Sequence, residues 1–208
     1  MNFEALGRKY ARLTTDAVVR NPRLWRLFRP LLRLEFERLA GQWDARRSPQ
    51  AFAPFVAALE RIEAPRRALE LGTGTGRGAF AIAERFPDAE VIGVDVADAM
   101  VEAARRKTPP ELRERVRFEL ADASKLPYGD ASFDLVAHGN MIPFFDELAR
   151  VLAPGGFALF SFSAGPETPI YVPPERLRQE LERRGFTDFA ELSAGDGTAA
   201  VARSRFTP

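Results

Sequence analysis

The run Ala68-Leu69-Glu70-Leu71-Gly72-Thr73-Gly74-Thr75-Gly76-Arg77-Gly78 constrains the chain most, together with Val91-Ile92-Gly93-Val94-Asp95 downstream. It reads as a buried strand, a glycine-rich turn, a helix, and a second strand that ends in an acid. Glycine lets a backbone turn sharply and lets a ligand come close to it. The helix that follows offers unpaired N–H groups to something polar or negative. Asp95 lies 19 residues beyond Gly76, the usual reach for an acid that accepts from ribose hydroxyls. A nucleoside-bearing cofactor at the carboxyl ends of parallel strands is the chemistry implied.

The rest of the chain supports that frame. From residue 65 onward, strand and helix patterns alternate, which implies a parallel sheet. Strands are predicted near 67–71, 90–95, 116–120, 133–138 and 156–163, with helices near 77–86, 97–107 and 143–153 between them. Pro173-Pro174 opens a helix to about 184, ended by Gly185. Two last strands, near 187–193 and 198–205, read as an antiparallel pair around Gly195-Asp196-Gly197. The expected fold is α/β: a Rossmann-like, seven-stranded, mostly parallel sheet with one antiparallel strand and helices on both faces.

Glycine spacing alone leaves the ligand open, because Gly74-Thr75-Gly76-Arg77-Gly78-Ala79 also fits the G-x-G-x-x-A of dinucleotide folds. Four segments in order decide it. Leu69-Glu70-Leu71-Gly72-Thr73-Gly74-Thr75-Gly76 resembles the first motif of the class I S-adenosylmethionine-dependent methyltransferases. Asp122-Ala123 after Val116–Leu120 resembles the family's adenine-binding acid and its neighbour. Phe133-Asp134-Leu135-Val136 resembles its fourth strand, and Glu147 to Gly156 the helix and turn before its fifth. The resemblance covers roughly residues 66 to 206.

It implies a set of roles. Gly72, Thr73, Gly74 and Gly76 form the turn beside the methionine part of the cofactor, with Glu70 as an acceptor near its amino group. Asp95 takes the ribose hydroxyls, although capping the next helix is an alternative that Asp98 fits equally well. Val96 and Met100 sandwich the adenine, or are plain core. Asp122 takes the adenine amino group with the Ala123 N–H beside it, or caps a local turn. His138-Gly139-Asn140 line the methyl site. His138, the only histidine, is the candidate general base; the alternative is that only its backbone touches cofactor.

Missing residues narrow the acceptor. Without cysteine, disulfides, thiolate nucleophiles and cysteine-bound metals are out. The segment His138-Gly139-Asn140-Met141-Ile142-Pro143-Phe144 does not resemble the Asn/Asp-Pro-Pro-aromatic signature of amino-methylating enzymes, so DNA is not expected as a partner. The acid that metal-dependent catechol methyltransferases carry there is replaced by His138, and no metal is expected.

Residues 1–64 are expected to form a helical cap or lid, and 65–208 the cofactor-binding unit. Helices are predicted at 3–20, 23–45 and 49–63, broken at Asn21-Pro22, with Pro30 kinking or splitting the second. Ser48 caps the third helix and Pro49 opens it. Trp25, Phe28, Leu32, Phe36, Leu39 and Trp43 recur at spacings of three and four and make one apolar face. Leu24, Leu27 and Leu31 are expected to widen it. Met141, Ile142, Phe144, Phe145 and Phe162 add apolar lining at the strand ends. Residues 1–67 hold 14 Lys+Arg against 7 Asp+Glu, and residues 68–208 hold 16 against 22. A basic segment suits an anionic substrate, nucleic acid or a membrane surface; an amphipathic cap with solvated arginines accounts for it as well and ranks first. No apolar run reaches the ~18–20 residues a bilayer crossing needs, and Met1-Asn2-Phe3-Glu4-Ala5 lacks signal-peptide character, so a cytoplasmic enzyme is expected. The expected function is methyl transfer from S-adenosylmethionine to a small, apolar or aromatic acceptor. A non-catalytic S-adenosylmethionine-binding regulatory module and a nicotinamide-dependent oxidoreductase are the alternatives.

Overall fold

A computed structural model describes residues 3–44 and 50–205. Two helices come first, α1 (Phe3–Arg20) and α2 (Trp25–Leu39), then α3 (Ala53–Leu59). The alternating region follows: β1 (Arg67–Leu71), α4 (Arg77–Arg85), β2 (Glu90–Asp95), α5 (Asp98–Lys107), β3 (Val116–Leu120), β4 (Phe133–Gly139), α6 (Phe145–Val151), β5 (Leu152–Phe162), α7 (Pro174–Glu182), β6 (Phe186–Ala194) and β7 (Gly197–Ser204). The sheet order is β3-β2-β1-β4-β5-β7-β6. All pairings are parallel except those of β7, which runs antiparallel to both β5 and β6. This is the expected seven-stranded α/β sheet.

The central strands are buried on both faces, which is why they read as continuous apolar runs. One apolar layer joins Ala68, Leu135, Ala137 and Leu159 to α3, α4 and α5 through Phe55, Leu59, Ile82 and Val101. The other joins Leu69, Leu71, Val136 and Phe160 to α6 and α7 through Phe145, Leu148, Leu177 and Leu181. Val18, Trp25 and Leu32 of the two N-terminal helices belong to this second layer.

Three local expectations need correction. Pro30 does not split α2, which runs through it. The predicted helix over 49–63 is α-helical only at Ala53–Leu59, after a 3-10 turn at Gln50–Phe52; Ser48 and Pro49 lie outside the described residues. The turn expected at Pro154-Gly155-Gly156 lies within β5, which starts directly after α6. Its pairing with β4 steps from Phe133↔Leu152 to Leu135↔Phe157, so a bulge absorbs the extra residues. Gly155 takes a φ of 79° there, and a Cβ on Gly156 would come 2.8 Å from the Asp134 carbonyl. No helix among the described residues is long and apolar enough to cross a membrane.

Candidate cofactor and acceptor cleft

Chain order reverses between β1 and β4, so their carboxyl ends frame a crevice, the place where open parallel sheets bind ligands. A cavity of about 770 Å³ lies there. Its wall includes Glu70, Gly72, Thr73, Gly74, Asp95, Val96, Met100, Ala123, Gly139 and Asn140. Three residues expected at the site, Gly76, Asp122 and His138, are not part of that wall.

The turn after β1 is built on left-handed glycines: φ is 67° at Gly72, 55° at Gly74 and 92° at Gly76, a region where a side chain costs about 1 kcal/mol or more. Gly72 and Gly74 are also pressed from the cavity side. A Cβ on Gly72 would sit 2.8 Å from Met141, and one on Gly74 3.0 Å from the Trp43 indole nitrogen. Gly76 serves packing instead, since a Cβ there would strike Phe118 and Phe80.

Glu70 is buried at the end of β1. Its carboxylate accepts from the Thr73 hydroxyl and, at 2.7 Å, from the Ala79 N–H in the first turn of α4. A helix N-terminus favours an anion. The carboxylate fits because residue 78 is glycine: a Cβ there would fall 1.8 Å from Glu70 Oε1. The signal for this in the sequence is a glycine in the first turn of a helix that follows a strand holding an acid.

Asp95 ends β2 with 8% exposure. Its oxygens accept from the N–H groups of Gly74 and Ala97, each at 2.9 Å. Burial pushes its pKa up, and the charge of Glu37 adds to this, while the N–H groups oppose it. A carboxylate has about four lone-pair sites, so these two bonds leave capacity toward the cavity. Asp95 does not cap α5 at its start. Glu37 from α2 does, accepting from the N–H groups of Asp98 and Ala99 at 2.8 Å each. Burial works against the Glu37 carboxylate, but those N–H groups and Arg33 outweigh it and hold its pKa low.

Asp122 is turned to the N-terminal helices. It accepts from Trp25 Nε1 at 2.8 Å, from Arg29 at 2.7 Å and from the Ser124 N–H at 2.9 Å. Burial raises its pKa, yet these partners prevail and lower it. Arg29 is nearly half exposed, which limits what that ion pair contributes.

His138 is 1% exposed and stacks on Phe160, with centroids 4.6 Å apart. Neither ring nitrogen has a hydrogen-bond partner. Burial takes its pKa down to about 3, against a smaller opposing pull from the Leu159 backbone. Next along, Asn140 adopts a φ of 52°, where a non-glycine residue is uncommon. Its N–H donates to the Ser161 carbonyl and its Oδ1 accepts from the Ser163 N–H, both at 2.9 Å. These bonds fix the bend that opens β4 toward the cavity, beside Gly139.

The opposite wall is aromatic. Tyr10, Trp25, Phe36 and Trp43 come from the N-terminal segment, and Phe52 and Phe55 from around α3. Trp43 packs edge-on against Phe36 at 5.6 Å, and Tyr10 against Phe28 at 6.3 Å. Asp44 accepts from the Thr75 hydroxyl at 2.6 Å and pairs with Lys107, tying this wall to the glycine turn. Met141 and Ile142 join the lining as expected, whereas Phe144, Phe145 and Phe162 pack in the core. Leu27 and Leu31, expected to widen the inner face of α2, are 66% and 54% exposed. Among the described residues no cluster of three or more His, Asp or Glu could hold a metal.

These residues fit a nucleoside cofactor. Buried acids stand at the ends of adjacent strands, the turn between them is bare of side chains at Gly72 and Gly74, and apolar Val96 and Met100 flank them. Comparison with known proteins agrees. The family model described as a methyltransferase domain matches residues 68–156. A demethylmenaquinone methyltransferase of Deinococcus radiodurans is 44% identical over 185 residues, spanning 67% of this chain and 76% of its own length. A malonyl-[acyl-carrier protein] O-methyltransferase of Halorhodospira halophila is 42% identical over 121 residues, but the chain spans only 40% of that protein. A solved S-adenosylmethionine-dependent methyltransferase from Aquifex aeolicus shares the fold with a TM-score of 0.63 at 17% identity, covering 79% of this chain and 97% of that one. The family model runs from the first strand of the cleft into the fifth, and with these relatives it shows that the chain belongs to the class I S-adenosylmethionine-dependent methyltransferases.

Proposed function

We propose that this methyltransferase acts on a small apolar or aromatic acceptor seated between the N-terminal helices and the strand ends. The observation that carries this is the single cavity wall that joins Glu70, Asp95 and the glycine turn to Tyr10, Trp43, Phe36 and Phe55. The acids and the turn suit a nucleoside, and the aromatic side suits an apolar partner. The Deinococcus relative, named for demethylmenaquinone, supports the same class of acceptor.

S-adenosylmethionine, when bound, supplies a methyl group activated by its sulfonium. Asp95 would take the ribose hydroxyls, Glu70 and the turn at Gly72, Thr73 and Gly74 the methionine end, and Val96, Met100 and Ala123 the adenine. Gly139 and Asn140 border the methyl site. Asp122, off the cavity wall and engaged by Trp25 and Arg29, is not assigned to the adenine in this reading. His138 is a packing residue in this reading, because its ring is buried against Phe160 and off the cavity wall. The remaining task of the protein is to hold the acceptor in line and keep water out, and positioning of that kind lowers a barrier substantially. We take α1 and α2 as the cap. We assign α3 to the cofactor-binding unit, since it packs on β5, β6 and β7.

The test is thermal unfolding with S-adenosylmethionine, its demethylated product and NAD, followed by a screen with labelled methyl donor. The first two ligands should raise the melting temperature by mass action, and labelled apolar aromatic acceptors should appear. Equal stabilisation by NAD would overturn the cofactor, and transfer confined to polar carboxylate acceptors would overturn the acceptor class.

A further inference from the structure

We propose that the outer face of α2 docks on an anionic lipid surface. Among the described residues, six large apolar side chains are exposed, and three of them fall on this one helix: Leu27, Leu31 and Leu34, at 66%, 54% and 47%. Positions 27, 31 and 34 are spaced by four and three, so they form one stripe, and exposed Pro30 borders it. The opposite side of the helix, with Trp25, Leu32 and Phe36, covers the cavity. The helix is therefore apolar on two faces, and only one has a partner.

Charge selects the occupant. Of the two acids of α2, Glu37 is engaged in capping α5, and Glu35 is exposed at the border of the cavity. Two of its arginines are also engaged, Arg29 with Asp122 and Arg33 with Glu37. That leaves Arg26 and Arg38 of α2, with Arg20 at the end of α1 and Arg23 in the turn between the helices, exposed and without a carboxylate partner among the described residues. An apolar stripe rimmed by cations repels a second copy of itself. It matches the interfacial helix of a peripheral protein, whose leucines enter the acyl boundary while arginines reach anionic headgroups. Long arginine stems suit this, because their methylenes lie along apolar surface and the guanidinium stays wet. This outer face is separate from the side of α2 that borders the cavity, so its role is independent of the acceptor.

The experiment is co-sedimentation of the full chain with vesicles of phosphatidylcholine alone and of phosphatidylcholine mixed with phosphatidylglycerol. Binding is expected only to the mixed vesicles, and it should fall severalfold as salt rises from 50 to ~500 mM, as screening shortens to a few ångströms. The variant Leu27→Ser/Leu31→Ser/Leu34→Ser, and separately Arg23→Glu/Arg26→Glu, should each cut the bound fraction at least tenfold while thermal unfolding and S-adenosylmethionine affinity stay as in the parent. These positions face away from the cavity, so neither readout should move. Absence of binding, equal binding to both vesicle types, or binding that survives both variants would overturn the proposal. A dimer in sedimentation that the leucine variant abolishes would overturn it too, because the stripe would then be a contact between copies.

Discussion

Asp95 is held by two backbone N–H groups on one side and faces the cavity on the other. Asn in its place keeps one acceptor oxygen and turns the other into a donor that cannot serve Gly74 or Ala97. A hydrogen bond to a charged group is worth about 1.5–3 kcal/mol, so Asp95→Asn should weaken S-adenosylmethionine binding at least tenfold in calorimetry. Because burial raises the Asp95 pKa, affinity in the parent should begin to fall on acidification above the pH at which an ordinary aspartate protonates. The variant should lack that limb. The same raised pKa means the fold takes up this proton more readily than the unfolded chain, so Asp95 does not cause acid unfolding. His138 has the opposite sign. Its pKa falls to about 3 in the fold, from about 6.5 in an unfolded chain. Its contribution is complete above the unfolded value and is lost as pH drops from there toward 3. His138→Phe keeps a ring against Phe160 and removes two unpartnered nitrogens. Denaturant titrations across that window should show a flatter acid limb, and turnover should stay within a few fold. A loss of 10²-fold or more, the scale of a missing general base, would restore His138 to the chemistry. Glu70, Gly72, Gly74 and Asp95 lie on the cavity wall where the sequence pattern places them, because their geometry is set by spacing along one strand–turn–helix unit. Asp122 and His138 do not. The side-chain partners that turn Asp122 to the N-terminal helices lie 97 and 93 residues away on α2, and β4 is buried along nearly its whole length, so no alternation revealed which way His138 points.

At the level of elements, periodicity placed every strand and most helices, because buried parallel strands and amphipathic helices leave period signals that survive without tertiary context. It failed where another element supplies the missing group. Nothing local shows that the N-terminus of α5 is closed by Glu37, 61 and 62 residues from the amides it accepts. Nor does a helical wheel of α2 reveal which of two apolar stripes meets the core, which is why Leu27 and Leu31 were put on the wrong side. The Glu37 contact makes a prediction about how the cap is fastened. Losing a good helix cap costs about 0.5–2 kcal/mol, and Glu37→Gln retains one of the two bonds. The variant should lose roughly 1 kcal/mol in denaturant unfolding, and the Asp98 and Ala99 amides should exchange faster. The Glu37 pKa is lowered in the fold, so the contribution of the cap contact is present above the unfolded carboxylate value and is lost as pH falls through the folded one. Equal exchange rates in parent and variant would mean that water caps α5 just as well.

For the whole molecule, the question is whether α1 and α2 are scaffold or lid. Val18, Trp25 and Leu32 share an apolar layer with Ile142, Phe144 and Phe160, which speaks for scaffold. Trp43 against Gly74, Asp44 against Thr75 and Glu37 against α5 place the same segment over the cleft, which speaks for a lid. Magnitudes weigh the two. Burying each large apolar side chain contributes about 1.5–3 kcal/mol, so three of them plus the Glu37 and Trp25 bonds approach a large share of the 5–15 kcal/mol typical of a domain. A chain starting at Gln50 retains the seven strands and the five helices packed on them, and should fold, but it should melt well below the full chain. S-adenosylmethionine should still bind, more weakly, because Glu70, Asp95, Val96 and Met100 stay while the cover over Gly74 goes. Turnover should vanish, since acceptor orientation and exclusion of water are lost together. Lower stability alone could mimic that loss, so Tyr10→Ala and Trp43→Ala in the full chain form the second arm. Both residues are only partly buried and line the cavity. A lid predicts that they cut turnover by tenfold or more while the melting temperature shifts by only a few degrees. Scaffold alone predicts the reverse, with melting lowered and turnover of the folded fraction unchanged.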